Sequence, residues 1–238
     1  MRYVWGALLL VVLPVWTAVA EDIPARIVPV REAVLSADMA GRIVAFPLTE
    51  GAAFKKGDLL LALDCSEPQA RLNAADATRS GAEKVLEARR KLNQLGSATQ
   101  LEMALAESDL ARARGEVQVI RAMAAKCEVR APFDGRLVKR RAQLAESATI
   151  GHPLLEIIDD RQLEVDLLVP SGWAGWLKLG TELTVAIAET GRRYKASVSN
   201  LGARIDPVSQ SLPVKATIVG EREGLLAGMS GVAVFNRP

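Results

Sequence analysis

The sequence predicts a mainly β protein in which a long α-helical hairpin interrupts one small β domain and a second small β domain follows. Three observations predict this fold class. Short apolar runs repeat at a fixed spacing, the segment between the two copies is rich in alanine and charge, and apolar and polar residues alternate after Asp160. Alternation is typical of half-buried strands, whereas alanine-rich charged segments favour helices.

The first twenty residues differ from the rest of the chain. Arg2 is their only charge, residues 4–16 form an apolar run, and small residues lead to Ala20. This pattern predicts a secretory signal peptide over residues 1–20, cleaved after Ala20. An uncleaved membrane anchor is the alternative, but the run is shorter than the roughly 18 apolar residues of a spanning helix. We therefore expect an exported protein.

Composition excludes several functions. The chain has 30 basic and 28 acidic residues and is 4% aromatic, so it offers neither a strong positive field nor a base-stacking surface, and nucleic acid is not an expected partner. One histidine and two cysteines do not supply a zinc site or an ordinary catalytic base. The one candidate base, His152, lies in a turn sequence (GHPLL). We expect no enzyme, metal or cofactor.

A repeat with an offset of 94 residues organises the first β domain. The phrase GRIV at Gly41 recurs as GRLV at Gly135, and Gly57 before an apolar run recurs as Gly151. Glycines at fixed separations between short apolar runs mark turns that connect strands. Residues 21–65 and 127–160 are therefore predicted to be two halves of one small β domain.

The segment between the halves, residues 66–126, is predicted to be a helical hairpin. Alanine makes up 14 of its 61 residues, 18 are charged and none is aromatic. Ser66 with Gln69 and Ser97 with Gln100 have the spacing of helix-capping pairs, and Gly96 suits the end of the first helix. Two antiparallel helices of about 28 residues would be roughly 40 Å long and would project from the β domain, either as a spacer or as a docking arm.

Two further features of this segment lead to predictions. Along the second helix a packing seam is expected at alternating spacings of four and three: Leu101, Leu105, Ser108, Arg112, Gly115, Val119 and Ala122. At the hairpin base, Cys65 precedes the first helix and Cys127 follows the second, so the two cysteines should lie side by side. Export favours a disulfide between them, with two neighbouring free thiols as the alternative.

Residues 161–238 are predicted to form a small antiparallel barrel or sandwich. The alternating positions are Leu163, Val165, Leu167, Val169, Leu183, Val185, Ile187, Val214, Ala216, Ile218, Val232 and Val234. Trp173 and Trp176 lie three residues apart in SGWAGWLKLG and predict a short helix over one mouth of the barrel. Their side chains either cap the core or contact a partner.

The chain resembles the periplasmic adaptor subunits, or membrane fusion proteins, of resistance-nodulation-division efflux pumps. The strongest resemblance is residues 129–138 (VRAPFDGRLV); AGRIVAFPLTEGAAFKKGDLLLALD, LEVDLLVPSGW, GARIDPVSQSLPVKA and LLAGMSGVAVF support it in order and spacing. The resemblance implies a lipoyl-like (barrel-sandwich hybrid) domain split by a coiled-coil hairpin and followed by a small β-barrel. A branch of the family also carries cysteines at both hairpin bases.

The family's function implies partners. Several adaptors, often six, form a periplasmic conduit between an inner-membrane transporter and an outer-membrane channel and perform no catalysis. The family's hairpin tip, which meets the channel, often has an arginine, a leucine four residues on and a serine seven further. Leu92 matches the leucine, and Thr99 lies at the position of the serine, whereas Ala88 replaces the arginine. The alternative for Thr99 is that it is only a first-turn residue of the second helix. The implied channel-docking tip consists of Leu92, Leu95, Gly96, Thr99, Gln100 and Met103.

The sequence also lacks the segments that a membrane-proximal domain would need, so we expect a short form whose barrel faces the transporter, with Trp173 and Trp176 as candidate contacts. The alternative within this class is an adaptor of an ATP-driven exporter. A remote alternative is a lipoyl or biotinyl carrier, but a carrier presents its modified lysine on a tight turn where this chain has the hairpin.

Overall fold

The computed structural model describes residues 22–235, which form fourteen strands, two long helices and one short 3-10 helix. The predicted signal peptide, residues 1–20, lies outside the described residues. The elements in chain order are β1 (Ile23–Pro29), β2 (Glu32–Ser36), β3 (Gly41–Ala45), β4 (Ala53–Phe54), β5 (Leu59–Leu63), α1 (Ser66–Gln94), α2 (Gln100–Ala125), β6 (Glu128–Arg130), β7 (Gly135–Arg140), β8 (Ser147–Ala148), β9 (Pro153–Ile158), β10 (Leu163–Pro170), the 3-10 helix (Ser171–Gly175), β11 (Glu182–Ile187), β12 (Arg193–Leu201), β13 (Ser211–Val219) and β14 (Ser230–Phe235).

The chain divides into two compact units, one of residues 29–162 and one that joins the segment before Pro29 to the segment from Leu163 onward. The second unit is a closed antiparallel barrel in the order β1-β10-β13-β12-β11-β14. The predicted alternation is confirmed on β10, β11 and β13, where the predicted inward positions are buried in the core. On β14 the prediction is wrong, because Ala233 and Phe235 are buried and Val232 is exposed.

The first strand of the barrel corrects the predicted domain boundary. The predicted boundary places residues 21–65 in the split β domain, but β1 pairs with β14 through Ile23 opposite Ala233 and Arg26 opposite Ser230. Ile23, Ala25 and Ile27 are buried in the barrel core. Because its neighbours β10 and β14 lie roughly 140 and 200 residues away in the chain, this strand carries no local signal that separates it from the strands that follow.

The other unit contains a two-sheet domain and the hairpin. One sheet has the order β2-β9-β7-β4 and the other β6-β5-β3-β8, and side chains from both enter one apolar core. The predicted 94-residue repeat is present in the strands: β3, β4 and β5 begin at 41, 53 and 59, and β7, β8 and β9 begin at 135, 147 and 153. Gly135 allows close approach, since a Cβ there would lie 2.0 Å from the Ile158 carbonyl oxygen.

The hairpin joins β5 to β6 and consists of α1 and α2 packed antiparallel. Its observed seam on α2 is Met103, Ala106, Leu110, Ala113, Val117 and Ile120, which are buried or half-buried. The predicted seam is therefore wrong by two positions, and Leu101, Leu105 and Val119 are exposed instead. On α1, Ala75 and Leu86 are buried against this seam. Among the described residues, no helix is long and apolar enough to cross a membrane.

Candidate docking site

The hairpin tip is a rigid turn built from two capping motifs. At the end of α1, the Gly96 N–H donates to the Asn93 carbonyl oxygen at 3.0 Å and the Ser97 N–H donates to the Leu92 carbonyl oxygen at 2.8 Å. These two hydrogen bonds form the Schellman pattern, in which Gly96 adopts the left-handed conformation with φ of +70°. The predicted role of Gly96 in ending the first helix is therefore present in the structure.

The start of α2 differs from the prediction. Thr99, not Ser97, caps the helix: its Oγ1 accepts from the Glu102 N–H at 3.2 Å, and Glu102 Oε2 accepts from the Thr99 N–H at 2.8 Å. The bond from the Thr99 backbone and the bond from its hydroxyl, followed by the nearby Arg89 charge, lower the pKa of Glu102. Arg89 on α1 also pairs with Glu102 at 3.1 Å, so the two helix ends are tied together.

This fixed turn exposes leucines. Leu95 is 76% exposed and Leu101 is 69% exposed, while Leu92 is exposed to 40%. Gln100 is also exposed, whereas Met103 is half-buried against the seam cluster of Leu86, Ala106 and Leu110.

The predicted tip residues therefore separate into two groups. Leu92, Leu95 and Gln100 face solvent, while Gly96, Thr99 and Met103 shape and support the turn. Leu101 was missed as a tip residue because the helix start was placed at Ser97, which assigned Leu101 to the seam.

The hairpin base is closed covalently. Cys65 and Cys127 form a disulfide with their Cα atoms 5.7 Å apart, as the sequence analysis predicted. Ser66 does not cap α1. Its backbone N–H instead donates to Asp64 Oδ1 at 2.9 Å, and this bond, with the Ser66 hydroxyl, lowers the pKa of Asp64.

The second candidate surface is one end of the barrel, where β10 and β14 end and β11 begins. The 3-10 helix crosses this end and carries both tryptophans. Trp173 is buried and lies 5.1 Å, ring centroid to ring centroid, from both Trp176 and Phe235. Trp176 is half-buried, and its Nε1 is shielded from solvent without a hydrogen-bond partner among the described residues. Trp173 thus caps the core, and Trp176 lies at the edge of the cap.

The remaining candidate sites are a metal site and the single histidine, His152. Residues 22–235 contain no group of three or more histidine, cysteine, aspartate or glutamate side chains placed to hold a metal ion. His152 lies 3.9 Å from Glu146 Oε1 on the surface of the two-sheet domain.

Several solved structures share this architecture. The chain matches a MacA–MexA chimeric protein containing the Pseudomonas aeruginosa MexA α-hairpin domain with a TM-score of 0.82, at 17% identity, over 90% of this chain and 80% of that one. It matches the membrane fusion protein Spr0693 from Streptococcus pneumoniae R6 with a TM-score of 0.75, at 15% identity, over 92% of this chain and 100% of that one. The protein has the membrane fusion protein fold. The resemblance found in the sequence is thus confirmed for the fold.

Two curated proteins are similar to this chain in sequence. Nodulation protein NolF of Rhizobium meliloti is 27% identical in an alignment of 234 residues that covers 89% of this chain and 63% of NolF. An uncharacterized protein of Haemophilus influenzae is 24% identical over 216 residues, which are 90% of this chain and 56% of that protein. The chain thus spans less than two thirds of the length of these curated relatives. No family model matches the chain.

Proposed function

We propose that the protein is a periplasmic adaptor that bridges an inner-membrane efflux transporter and an outer-membrane channel in a pump with several adaptor copies. Its role is assembly and conduit formation without catalysis. The two-sheet domain is the lipoyl-like domain of such an adaptor, and the hairpin inserted between its halves reaches toward the channel. The barrel end with Trp176 faces the transporter.

The observation that carries this proposal is the exposed leucine pair at the end of a rigid, covalently closed hairpin. A helix of 29 residues is about 43 Å long, so the tip stands far from the sheets that hold its base. Exposed apolar side chains on a preorganised turn bind a partner at low entropic cost, since the turn is already ordered. A hairpin that acts only as a spacer has no need for exposed leucines at positions 95 and 101.

The barrel end supports the second contact. Leu179 follows the 3-10 helix and is 65% exposed, and the half-buried Trp176 lies near it in the chain. Tryptophan with a polar N–H and an apolar body is enriched at protein interfaces.

Photo-crosslinking in living cells tests the bridging role. One probe replaces Leu95 at the tip and one replaces Leu179 at the barrel end. The matched control replaces Leu226, which is also 65% exposed but lies in the loop between β13 and β14, at the other end of the barrel. We expect the first probe to trap an outer-membrane channel and the second an inner-membrane transporter, identified by mass spectrometry.

Two results would contradict the proposal. Leu95 and Leu179 probes that trap no envelope protein above the Leu226 control would exclude bridging. Intact mass of the exported protein with a lipoyl or biotinyl adduct would instead support the carrier alternative.

A further inference from the structure

The base of the hairpin carries a groove on one side, where the helices leave the two-sheet domain. Its volume is about 850 Å³, within the range of roughly 300–1,000 Å³ that is typical of small-molecule sites. It is lined by side chains from residues 67–78 of α1, from residues 116–126 of α2, and by Asp38 and Met39 of the loop between β2 and β3. About ten helical residues span roughly 15 Å, so the groove is elongated along the hairpin.

The inner surface of this groove is mainly apolar. On α1 the small side chains of Ala74 and Ala75 leave open space. On α2 the larger side chains of Val119, Ile120 and Met123 border that space. Val119 and Met123 are 56% and 55% exposed. An apolar molecule between the two helices would remove their surface from water, which favours binding.

The walls of the groove are held in place without a ligand. The Cys65–Cys127 disulfide ties the two helices together at the base. The loop between β2 and β3 is fixed by two backbone bonds, from the Ala37 N–H to the His152 carbonyl oxygen at 2.9 Å and from the Gly151 N–H to the Ala37 carbonyl oxygen at 2.8 Å. Because these segments are already ordered, binding costs little conformational entropy of the protein.

One unpaired carboxylate distinguishes the groove from the rest of the hairpin. Residues 66–126 contain eight acidic residues, and seven of them pair with a basic residue of the hairpin within 3.4 Å. The eighth, Glu116, is exposed and lines the groove at the end nearer the tip. Its carboxylate has no ion-pair or hydrogen-bond partner among the described residues. An unpaired carboxylate beside apolar surface attracts a cation.

The other charges of the groove leave this attraction in place. Glu67 and Arg71 neutralise each other, with their charged atoms 2.5 Å apart. Asp38 and Lys126, at the base end, are opposite in charge. The lining therefore has one negative charge in excess, and Glu116 supplies it.

We propose that this groove binds an organic monocation with an elongated apolar body. The apolar body lies between the helices against Val119 and Met123, and the cationic group pairs with Glu116. The flexible thioether side chains of Met39 and Met123 adapt to the shape of the apolar body. An anion of the same shape is repelled by the unpaired carboxylate.

This site is separate from the two contacts of the proposed function. Glu116 lies about 15 residues along α2 from Leu101, which corresponds to roughly 22 Å. The groove can therefore bind a ligand in a chain that bridges nothing, and bridging can stand if the groove binds nothing. The experiment uses purified exported protein without transporter or channel.

Three fluorescent probes with one ring system test the charge preference. They are anthracenylmethyl-trimethylammonium as the cation, anthracenemethanol as the neutral probe and anthracenecarboxylate as the anion. Fluorescence anisotropy gives the Kd of each. We expect the cation to bind about threefold to fivefold more tightly than the neutral probe, as for a solvent-screened charge pair, and the anion to bind more weakly than the neutral probe. Equal affinities, or no binding of the cation, would overturn the proposal.

Charge variants locate the cationic group. Glu116→Gln should remove the advantage of the cation and leave the Kd of the neutral probe unchanged. Glu116→Lys should invert the order, so that the anion binds more tightly than the cation. The matched control, Glu87→Gln, removes a carboxylate that pairs with Lys91 outside the groove and should preserve the order. An unchanged order in Glu116→Lys would contradict the assignment of Glu116.

A serine variant locates the apolar body. Met123→Ser should raise the Kd of the cation and of the neutral probe by a similar factor of about fivefold, because the lost apolar contact does not depend on charge. The matched control is Leu105→Ser, which changes a residue of α2 that is 57% exposed and lies outside the groove. Helix content by circular dichroism confirms that each variant is folded. Equal effects of the two serine variants would place the probe outside the groove and overturn the proposal.

Discussion

Among the described residues, Asp159 is the only charged residue that is buried, and its side chain has no exposed surface. Its carboxylate accepts from Arg31 at 2.5 Å and from Arg161 at 3.0 Å. Bonds from Arg161, followed by the bond from Arg31, outweigh burial and lower the pKa of Asp159. Arg161 also reaches Asp134 at 2.6 Å, so one carboxylate organises a network just before the chain enters the barrel unit.

We predict that Asp159→Asn lowers the free energy of unfolding by about 2–3 kcal/mol, because it leaves two arginines without their shared anion. Denaturant unfolding measures this loss. The control is Asp160→Asn, which removes a more exposed pair with Arg136 and should cost under about 1 kcal/mol. Equal costs at both positions would show that burial of Asp159 adds nothing.

The contribution of Asp159 to the stability of the fold depends on pH in a definite direction. A carboxyl whose folded pKa lies below its ordinary value of 3.8 stabilises the fold above that pH, and the contribution is lost as pH falls through the folded pKa. The difference between the native chain and Asp159→Asn should therefore be constant near neutral pH and shrink below about pH 4. A difference that grows on acidification would contradict this assignment.

The hairpin is the element with the clearest covalent restraint. The Cys65–Cys127 bridge closes a loop with a sequence separation of 62 residues, which in the chain-entropy model contributes about 4 kcal/mol. Replacing both cysteines by alanine should lower the free energy of unfolding by about 2–4 kcal/mol, since residual helix in the unfolded chain reduces the full effect. Thermal unfolding followed by the helical circular dichroism signal measures it.

Reduction supplies the internal check on the disulfide. Dithiothreitol should lower the melting temperature of the native chain to near that of the double alanine variant and should leave that variant unchanged. A native chain whose melting temperature is insensitive to the reductant, with both thiols shown to be free after treatment, would mean that the bridge does not stabilise the fold.

The same hairpin shows how far the sequence predicts an element. Its existence and ends follow from local signals, namely alanine content, Gly96 and the flanking cysteines. The side of α2 that packs on α1 does not follow from local signals, because α2 carries two apolar stripes, one through Leu110 and one through Leu105. Only the complementary side chains of α1 select between them, and that choice is a tertiary contact. The unselected stripe remains exposed.

Barrel closure was harder to predict for a related reason. Strand β1 pairs with β14 across most of the chain, and no turn joins the two. On β14, Gly231 must lie against the Ala186 backbone, where a Cβ would be 2.2 Å from the carbonyl oxygen. This contact and the packing of Phe235 on Trp173 set which face of β14 is buried, whereas valine alternation alone indicated the opposite face.

The described residues form one apolar core in the barrel, one between the two sheets and a smaller cluster between the hairpin helices. The tip leucines belong to none of the three. A change at Leu95 and Leu101 should therefore separate partner binding from folding, which a change in either core would not do.

We predict that Leu95→Lys with Leu101→Glu abolishes pump-dependent resistance or export while changing the free energy of unfolding by less than about 0.5 kcal/mol. The lysine lies at the C-terminal end of α1 and the glutamate in the first turn of α2, where each charge suits the helix dipole, and the net charge of the chain is unchanged. The matched control, Ala77→Lys with Gln118→Glu, adds the same charges at exposed positions along the helices and should retain activity. Full activity of the tip variant in a strain that lacks the native copy would show that the leucines are not the channel contact and that the hairpin acts as a spacer.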